Sequence, residues 1–229
     1  MIYVLSDIHG NLNNFNSIMA QINLQETDTL YVLGDVIDRH PDGIRILRRI
    51  MSAPNIKMLL GNHEYMMLKA IDVNGVIDYQ ARSLWYYNGG DCTHKYIKHI
   101  RKSIREEIFE YIESLPLNID IEVGGKKYKL VHGYPKEYYI RGDFEYPSET
   151  YFAVWKRIVG DEEFDEDYTL IFGHTPTHYY QLELPLQVWF GKNVIGIDCG
   201  SGFPDYMKSK GRLACLRLDD MKVFYSDGN

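Results

Sequence analysis

Apolar, strand-like runs alternate with amphipathic helical segments over the first seventy residues of the chain. The strand-like runs cover residues 2–5, 29–33 and 56–60, and the helical segments cover residues 12–22, 44–51 and 64–70. This βαβαβ order favours a parallel sheet with right-handed crossovers. Because the carboxyl ends of such strands meet at one edge of the sheet, polar residues that follow the strands are expected to converge there.

Short polar motifs follow these apolar runs directly. The sequence reads SDIHGN after the first run, GDVIDRH after the second and GNHE after the third. Two further motifs, VHG and GHTP, come after apolar runs later in the chain. All of them carry Asp, His or Asn, whose oxygen and nitrogen atoms suit a pair of divalent cations. The motifs therefore predict a two-cation phosphoesterase site at the ends of the strands.

The remainder of the chain divides into a helical part and a β-rich part. Residues 72–115 are predicted to form a helical insertion, because isoleucines recur every three or four residues from position 97 to position 112. Short β-rich runs follow Pro116, with a hairpin turn at Gly124 and Gly125. Residues 134–151 are rich in tyrosine and charge, and we interpret them as a surface loop over the site, packed by its own aromatic rings.

Composition narrows the class of protein. The 229 residues are 45% hydrophobic and 25% charged, and no linker-like stretch interrupts them, which predicts one globular domain over residues 1–229. No stretch approaches the roughly 20 apolar residues that cross a bilayer, and no leader is evident, so we expect a cytoplasmic protein without a membrane partner. The net charge of −7 argues against a nucleic-acid partner, and the three widely spaced cysteines argue against a disulfide framework.

Individual motif residues suit particular roles. Asp7 and His9 lie two residues apart at a strand end, where alternation would point both side chains to one side and allow them to bind one ion. Taken alone, the pair also fits a helix-capping aspartate with an incidental histidine. Asp35 directly follows a strand, and its two carboxylate oxygens could bridge two cations. Asn62 offers a neutral amide oxygen, and His63 beside it is placed to donate a proton to a leaving alkoxide.

Other motif residues have two interpretations each when taken alone. Asp38 and Arg39 fit a surface ion pair, yet arginine also grips phosphoryl oxygens in bidentate fashion. His132 and His174 fit buried, hydrogen-bonded histidines, yet the neighbouring glycines would let backbone approach an ion closely. Glu64 is predicted to be structural, because a carboxylate in the first turn of a helix is favoured by the helix dipole.

Taken together, the motifs resemble the phosphoprotein phosphatase family of metallophosphoesterases, especially its small bacterial and bacteriophage serine/threonine phosphatases. The order and approximate spacing match from Asp7 to His174, and the segments WYYNGGD (residues 85–91) and IDCGSGF (residues 197–203) are also similar to the phage-type members. The resemblance implies an α/β fold with layered α and β elements. In that fold, known as calcineurin-like, helices flank a central β-sandwich of mixed sheets.

The resemblance also implies the roles of the site residues. The metal ligands it implies are Asp7 and His9 on one ion, Asp35 between the two ions, and Asn62, His132 and His174 on the other. His63 would be the general acid, and Asp38 would orient it. Arg39, Asn62 and Arg157 would bind the substrate phosphate, Arg157 because it follows Trp155 by two residues. Mn²⁺ is the implied metal, with iron and zinc as alternatives.

Three functions are compatible with these motifs. The first is a phosphatase that acts on a phosphorylated protein or small phosphoester, hydrolysing phosphoserine, phosphothreonine and also phosphotyrosine. The second is a dinucleoside tetraphosphate hydrolase, against which Asp38 argues. The third is a catalytically inactive, metal-stabilised binding module, against which His63 argues. His40 stands where the family usually has glycine, and it is either a neighbour of the phosphate or an exposed turn residue. The natural substrate, physiological metal and oligomeric state are not determined by the sequence.

Overall fold

The computed structural model describes residues 1–160, 162, 164, 167–203 and 211–227. Its strands are β1 (Ile2–Leu5), β2 (Thr29–Val32), β3 (Ile56–Met58), β4 (Asn118–Val123), β5 (Lys126–Val131), β6 (Thr169–Phe172), β7 (Trp189–Phe190), β8 (Val194–Gly196), β9 (Ala214–Arg217) and β10 (Lys222–Tyr225). Its helices are α1 (Leu12–Ile22), α2 (Gly43–Met51), α3 (Asn62–Ala70), α4 (Tyr79–Tyr87), α5 (Asp91–Ile97), α6 (Lys102–Glu113) and α7 (Glu149–Trp155). Within these residues, no helix is long and apolar enough to cross a bilayer.

The strands form two five-stranded mixed sheets. The first has the order β10-β9-β1-β2-β3, with β1, β2 and β3 parallel and β9 and β10 antiparallel. The second has the order β4-β5-β6-β8-β7, with β5, β6 and β8 parallel and antiparallel strands at both edges. Helices flank these two sheets, which confirms the predicted layered α/β architecture.

Alternation along the strands builds the layers. In β1, Tyr3 and Leu5 pack with the helices on one side, while Val4 packs with residues of the second sheet. In β6, Ile171 faces the same intersheet core, and Leu170 faces the outer aromatic cluster. Each such burial stabilises the fold by roughly 1.5–3 kcal/mol. Both sheets are therefore covered on both faces, and their strand ends are held in fixed positions.

The segment of residues 72–115 contains α4, α5 and α6. Its isoleucine stripe lies against the first hydrophobic core, as the spacing predicts, with Ile97, Ile108 and Ile112 fully buried. The stripe does not belong to one helix, because α5 ends at Ile97 and α6 begins at Lys102. Residues 98–101 contain neither glycine nor proline, so the sequence carries no ordinary signal for this break.

The tyrosine-rich segment of residues 134–151 is only partly a surface loop. Tyr134 is 7% exposed and packs edge-on against Phe152, and α7 begins at Glu149 after a Ser148 cap. The prediction of a surface loop is therefore wrong at both ends of the segment. Aromatic contacts hold these ends on the outer face of the second sheet, and some of the rings involved, Phe152 and Phe164, lie outside the segment.

Candidate active site

The polar motifs converge at the carboxyl ends of the parallel strands, around the carboxylate of Asp35. Its Oδ2 lies 3.7 Å from Nε2 of His9, and its Oδ1 lies 3.4 Å from Nε2 of His132. Asp7 Oδ1 lies 3.7 Å from the same His9 nitrogen. Asp7, His9, Asp35 and His132 are each at most 2% exposed. Side chains that are far apart in sequence therefore form one buried cluster.

Left-handed backbone is concentrated at this cluster. Six of its non-glycine residues have positive φ: Asp7 (56°), His9 (50°), Asp35 (53°), Asp38 (72°), Arg39 (67°) and His174 (62°). Such a conformation costs an L-residue roughly 1–2 kcal/mol. Strain of this kind persists only where surrounding contacts determine the backbone, and it is typical of functional sites.

The convergence of Asp7 and His9 has a different cause from the one predicted. β1 ends at Leu5, so neither residue lies in a strand and strand alternation does not orient them. The left-handed turn brings the two side chains together instead. Gly173 leaves room for these side chains, because a Cβ there would lie 2.0 Å from Ser6 Oγ and 2.4 Å from Asp7 Oδ2.

Three imidazoles are oriented by backbone carbonyls on their outer side. The pairs are His9 Nδ1 with Ile37 O (3.3 Å), His132 Nδ1 with Leu33 O (2.6 Å) and His174 Nε2 with Trp155 O (3.1 Å). In each ring, the nitrogen that donates outward leaves the other nitrogen, with its lone pair, for the interior. This arrangement is the one by which proteins fix the tautomer and direction of metal-binding histidines.

The donor set fits divalent cations. His132 Nε2 and Asn62 Oδ1 lie 3.0 Å apart, and when Nδ1 of that ring donates to a carbonyl, both of these atoms are acceptors. Two facing acceptors repel each other unless they share a positive charge. Among the described residues, two groups lie close enough together to hold an ion: His9, Asp35 and His63, and Asp35, His132 and His174. In the first group, Asp7 lies 3.7 Å from His9 and can take the place of His63, whose ring pairs with Asp38. Mixed imidazole and oxygen donors suit manganese, iron and zinc.

The electrostatics of the cluster depend on its carboxylates. Burial and the neighbouring Asp35 raise the pKa of Asp7 to about 7. Burial would also raise the pKa of Asp35, but His132, His63 and His9 outweigh it and hold that pKa below its ordinary value. Burial lowers the pKa of His9, which favours the neutral imidazole that binds metals.

His63 forms a close pair with Asp38. Its Nδ1 donates to Oδ2 of Asp38 at 2.7 Å, and its Nε2 lies 3.8 Å from Asp35 and 3.3 Å from the Arg39 guanidinium. Burial lowers the pKa of His63, but the carboxylates of Asp35 and Asp38 outweigh it, so the pKa lies above its ordinary value. The raised pKa favours the form of His63 that carries a proton on Nε2 as well, and this nitrogen lies toward Asp35. In the neutral form, Nε2 instead accepts from the Arg39 guanidinium, which can only donate.

A cavity of about 130 Å³ lies at the cluster, and two arginines border it. The Arg39 guanidinium lies 4.3 Å from the centre of the Phe203 ring, and Arg157 donates from Nη1 to the carbonyl of His174 at 3.1 Å. Both side chains line the same cavity as Asn62. A larger groove of about 600 Å³ runs beside β4 and β5, but none of the motif residues lines it.

Comparison with known proteins identifies the family. Residues 1–206 match the sequence family described as calcineurin-like phosphoesterase. The chain belongs to this family. The predicted resemblance to metallophosphoesterases, and the fold it implies, are thereby confirmed.

Several relatives of this calcineurin-like phosphoesterase are informative. Serine/threonine-protein phosphatase 2 of Salmonella typhimurium (strain LT2) is 32% identical over 143 residues, which are 62% of each chain. The symmetrical bis(5'-nucleosyl)-tetraphosphatase of Pectobacterium atrosepticum is 37% identical over 68 residues, 29% of this chain and 24% of that one. The alignments thus span less than two thirds of either relative. A metallophosphoesterase structure from Sphaerobacter thermophilus shares the fold, with a TM-score of 0.58, 18% identity and coverage of 98% and 86%.

Glu64 has a role in this calcineurin-like phosphoesterase that sequence reasoning missed. Its buried carboxylate accepts hydrogen bonds from the backbone N–H groups of Asp35 (2.9 Å), Val36 (2.9 Å) and Ile37 (3.2 Å). Glu64 does lie in the first turn of α3, as predicted, but the helix dipole alone does not account for it. Glu64 also holds the left-handed backbone that presents Asp35, and only the tertiary structure reveals these partners.

We expect Glu64→Gln to destabilise the protein by about 1–3 kcal/mol, the cost of leaving a buried donor without its acceptor. The amide can accept from Val36 and Ile37, but its NH₂ group would then face the N–H of Asp35. Urea denaturation of the variant would measure the loss. Glu110→Gln is the matched control, because this glutamate is exposed on α6 and a stability change as large there would contradict the explanation.

Asp198 is a second residue without a predicted role. It is 4% exposed, borders the cavity and accepts a hydrogen bond from the Gly200 N–H at 2.9 Å. Burial and the nearby Asp7 raise the pKa of Asp198 to about 8. The segment IDCGSGF was the available signal, because its resemblance to phage-type phosphatases marks the region without indicating which side chain faces the cavity.

His40 lies beside the site without joining the residues that line the cavity. Its side chain is partly buried, so the interpretation as an exposed turn residue is wrong. Burial and the positive charge of Arg39 lower the pKa of His40. Its backbone carbonyl accepts a hydrogen bond from the Cys92 thiol at 3.3 Å, which ties this turn to α5.

Proposed function

We propose that the protein is a metal-dependent phosphoprotein phosphatase that hydrolyses phosphoserine and phosphothreonine monoesters, and phosphotyrosine as well. The observation that carries the proposal is the His63–Asp38 pair, which lies directly beside Asp35 and below two arginines. Such a pair is a proton donor with a fixed direction, as a poor leaving group such as a serine alkoxide requires. The identity with the Salmonella phosphatase supports the same choice.

The residues that would hold two divalent cations, most suitably Mn²⁺ with iron and zinc as alternatives, are Asp7, His9, Asp35, Asn62, His132 and His174. Bound there, the cations would supply Lewis acidity toward the phosphoryl group and lower the pKa of water. Asp35 would be shared, because it belongs to both clusters of potential ligands.

The other side chains bind the substrate and move the proton. Arg39 and Arg157 would neutralise phosphoryl oxygens, and the amide of Asn62 lines the same cavity. Water loses a proton to the solvent and attacks phosphorus as hydroxide, and the bond from phosphorus to the leaving oxygen breaks. His63 then gives its Nε2 proton to that oxygen, while the Asp38 carboxylate keeps the Nδ1 proton directed at itself.

The Asp38→Asn variant tests this pair through the pH profile. The Asp38 carboxylate contributes to raising the pKa of His63, so its loss lowers that pKa. Protonated His63 is the active form and is lost as pH rises through its pKa, so the descending limb of the profile should move to lower pH. With a phosphoserine peptide, kcat at neutral pH should also fall, by about tenfold or more. A descending limb unchanged in position would contradict the pairing.

A dinucleoside tetraphosphate hydrolase is the alternative, supported by the identity with the Pectobacterium enzyme. The deciding experiment supplies metal-stripped protein with Mn²⁺ and measures hydrolysis of a phosphoserine peptide and of diadenosine tetraphosphate side by side. The proposal predicts preferential turnover of the peptide. Preferential cleavage of the dinucleotide would overturn the proposal. Hydrolysis of neither substrate would also overturn it and would favour the inactive binding module.

A further inference from the structure

We propose that Trp85 is a positioning residue for the proton donor, acting through Asp38 from a helix outside the polar motifs. The inference rests on the proposed function, because it assigns a step of the same reaction. Trp85 lies on α4 and is 0% exposed. It neither lines the cavity nor belongs to the potential cation ligands among the described residues, so any effect on turnover must pass through other groups of the protein.

The contact between Trp85 and Asp38 is specific. The indole Nε1–H donates to Oδ2 of Asp38 at 2.8 Å, and the same oxygen accepts from His63 Nδ1 at 2.7 Å. The other oxygen, Oδ1, is buried and has no hydrogen-bond partner among the described residues. The direction of the Asp38 carboxylate therefore depends on two donors to one oxygen, of which only the indole comes from outside the reacting pair.

The surroundings of Trp85 hold the indole in place. Its ring stacks on His94 of α5, with centroids 5.7 Å apart and planes at 26°, and the Tyr86 hydroxyl contacts His94 Nδ1 at 2.5 Å. A Cβ at Gly90 would lie 2.3 Å from the indole, so only glycine lets the chain turn this closely around it.

The same segment also fixes the backbone on either side of the Asp38 side chain. Thr93 Oγ1 accepts from the backbone N–H of Asp38 at 3.1 Å, and the Gly89 carbonyl accepts from the N–H of Arg39 at 3.0 Å. Asp38 and Arg39 both have left-handed φ angles, so these contacts hold a backbone that would otherwise relax. Of these contacts, the indole hydrogen bond is the one made to the side chain of Asp38, which pairs with His63.

Loss of the indole N–H should affect proton donation more than binding. We expect Trp85→Phe to lower kcat on a phosphoserine peptide by about tenfold, because a misdirected general acid loses part of a contribution of about 10²–10⁴-fold. KM for the peptide should stay unchanged. Turnover of para-nitrophenyl phosphate should change by less than about twofold, since nitrophenolate leaves without a proton. Equal losses on the two esters would overturn the inference.

A double-mutant cycle separates positioning from a merely structural role. If Trp85 acts through Asp38, then Trp85→Phe has no further effect on peptide turnover in an Asp38→Asn background. The same factor in both backgrounds would overturn the inference. Tyr87→Phe is the matched control on the same helix, because Tyr87 is 89% exposed and losing its hydroxyl leaves the indole and its supporting contacts in place. It should leave the ratio of the two turnover rates unchanged.

A spectroscopic measurement covers the case in which Trp85→Phe does not fold. The indole N–H signal of Trp85 in a ¹H–¹⁵N spectrum can be assigned by elimination with Trp155→Phe and Trp189→Phe. It should shift in Asp38→Asn, and an unchanged signal would overturn the inference without any activity measurement. Wild-type protein that turns over neither ester would instead overturn the proposed function, and with it any role of Trp85 in that reaction.

Discussion

We expect His63→Asn to lower kcat on a phosphoserine peptide by about 10²–10⁴-fold, the range that a general acid contributes. The serine alkoxide is a poor leaving group and needs the Nε2 proton. Nitrophenolate does not, so turnover of para-nitrophenyl phosphate should fall far less. Parallel assays of the two esters with Mn²⁺-loaded variant and wild type measure the difference.

His99→Asn is the control for this substitution, because it makes the same change outside the cluster and His99 does not line the cavity. Its two turnover rates should match those of the wild type. Equal losses on both esters in His63→Asn would remove His63 from the role of proton donor. Metal content should be the same in His63→Asn as in wild type. The loss of turnover would then be due to lost proton transfer and not to lost metal.

Asp35→Asn should lower kcat/KM on all phosphomonoesters by about 10³-fold or more, since a shared cation ligand contributes several kcal/mol to the stabilisation of charge. Asp35 lies within 3.4–3.8 Å of His132, His9 and His63, and it belongs to both potential cation clusters. An amide there keeps an oxygen but loses the negative charge. Unlike His63→Asn, this variant should lose activity on good and poor leaving groups alike.

Asp120→Asn is the matched control for Asp35→Asn, because that carboxylate is 72% exposed and forms an ion pair with Lys129. It should retain full activity and metal content. Asp35→Asn should also bind less Mn²⁺ than wild type, which inductively coupled plasma mass spectrometry after desalting would measure. Normal metal content together with normal turnover in Asp35→Asn would contradict the shared role.

Periodicity and motif position predicted much of this architecture. The run at residues 2–5 and the segment at residues 12–22 are the strand β1 and the helix α1, because strong local patterns and tertiary packing agree there. The convergence of the motifs followed from the edge of a parallel sheet, which is a property of topology. The sequence was therefore sufficient to predict that these motifs meet around Asp35.

Hydrogen bonds between residues far apart in the sequence could not be predicted in this way. Trp85 reaches Asp38 across 47 positions, and Glu64 reaches the N–H of Asp35 across 29. The segment WYYNGGD marks the region of Trp85 without indicating that its indole meets Asp38. A glutamate in a first turn has an ordinary explanation, so Glu64 gave no sign of its partners. The left-handed φ of Asp7 was equally hidden, since Asp in a turn is compatible with several conformations.

Equilibrium dialysis of metal-stripped protein against Mn²⁺, with phosphoserine-peptide turnover measured at each occupancy, tests the shared two-cation site most directly. The arrangement around Asp35 predicts binding of about two Mn²⁺ per chain, with full turnover only when both have bound. Turnover that is complete without added cation, or that is complete with a single Mn²⁺ per chain, would contradict a two-cation phosphoesterase site built on these residues.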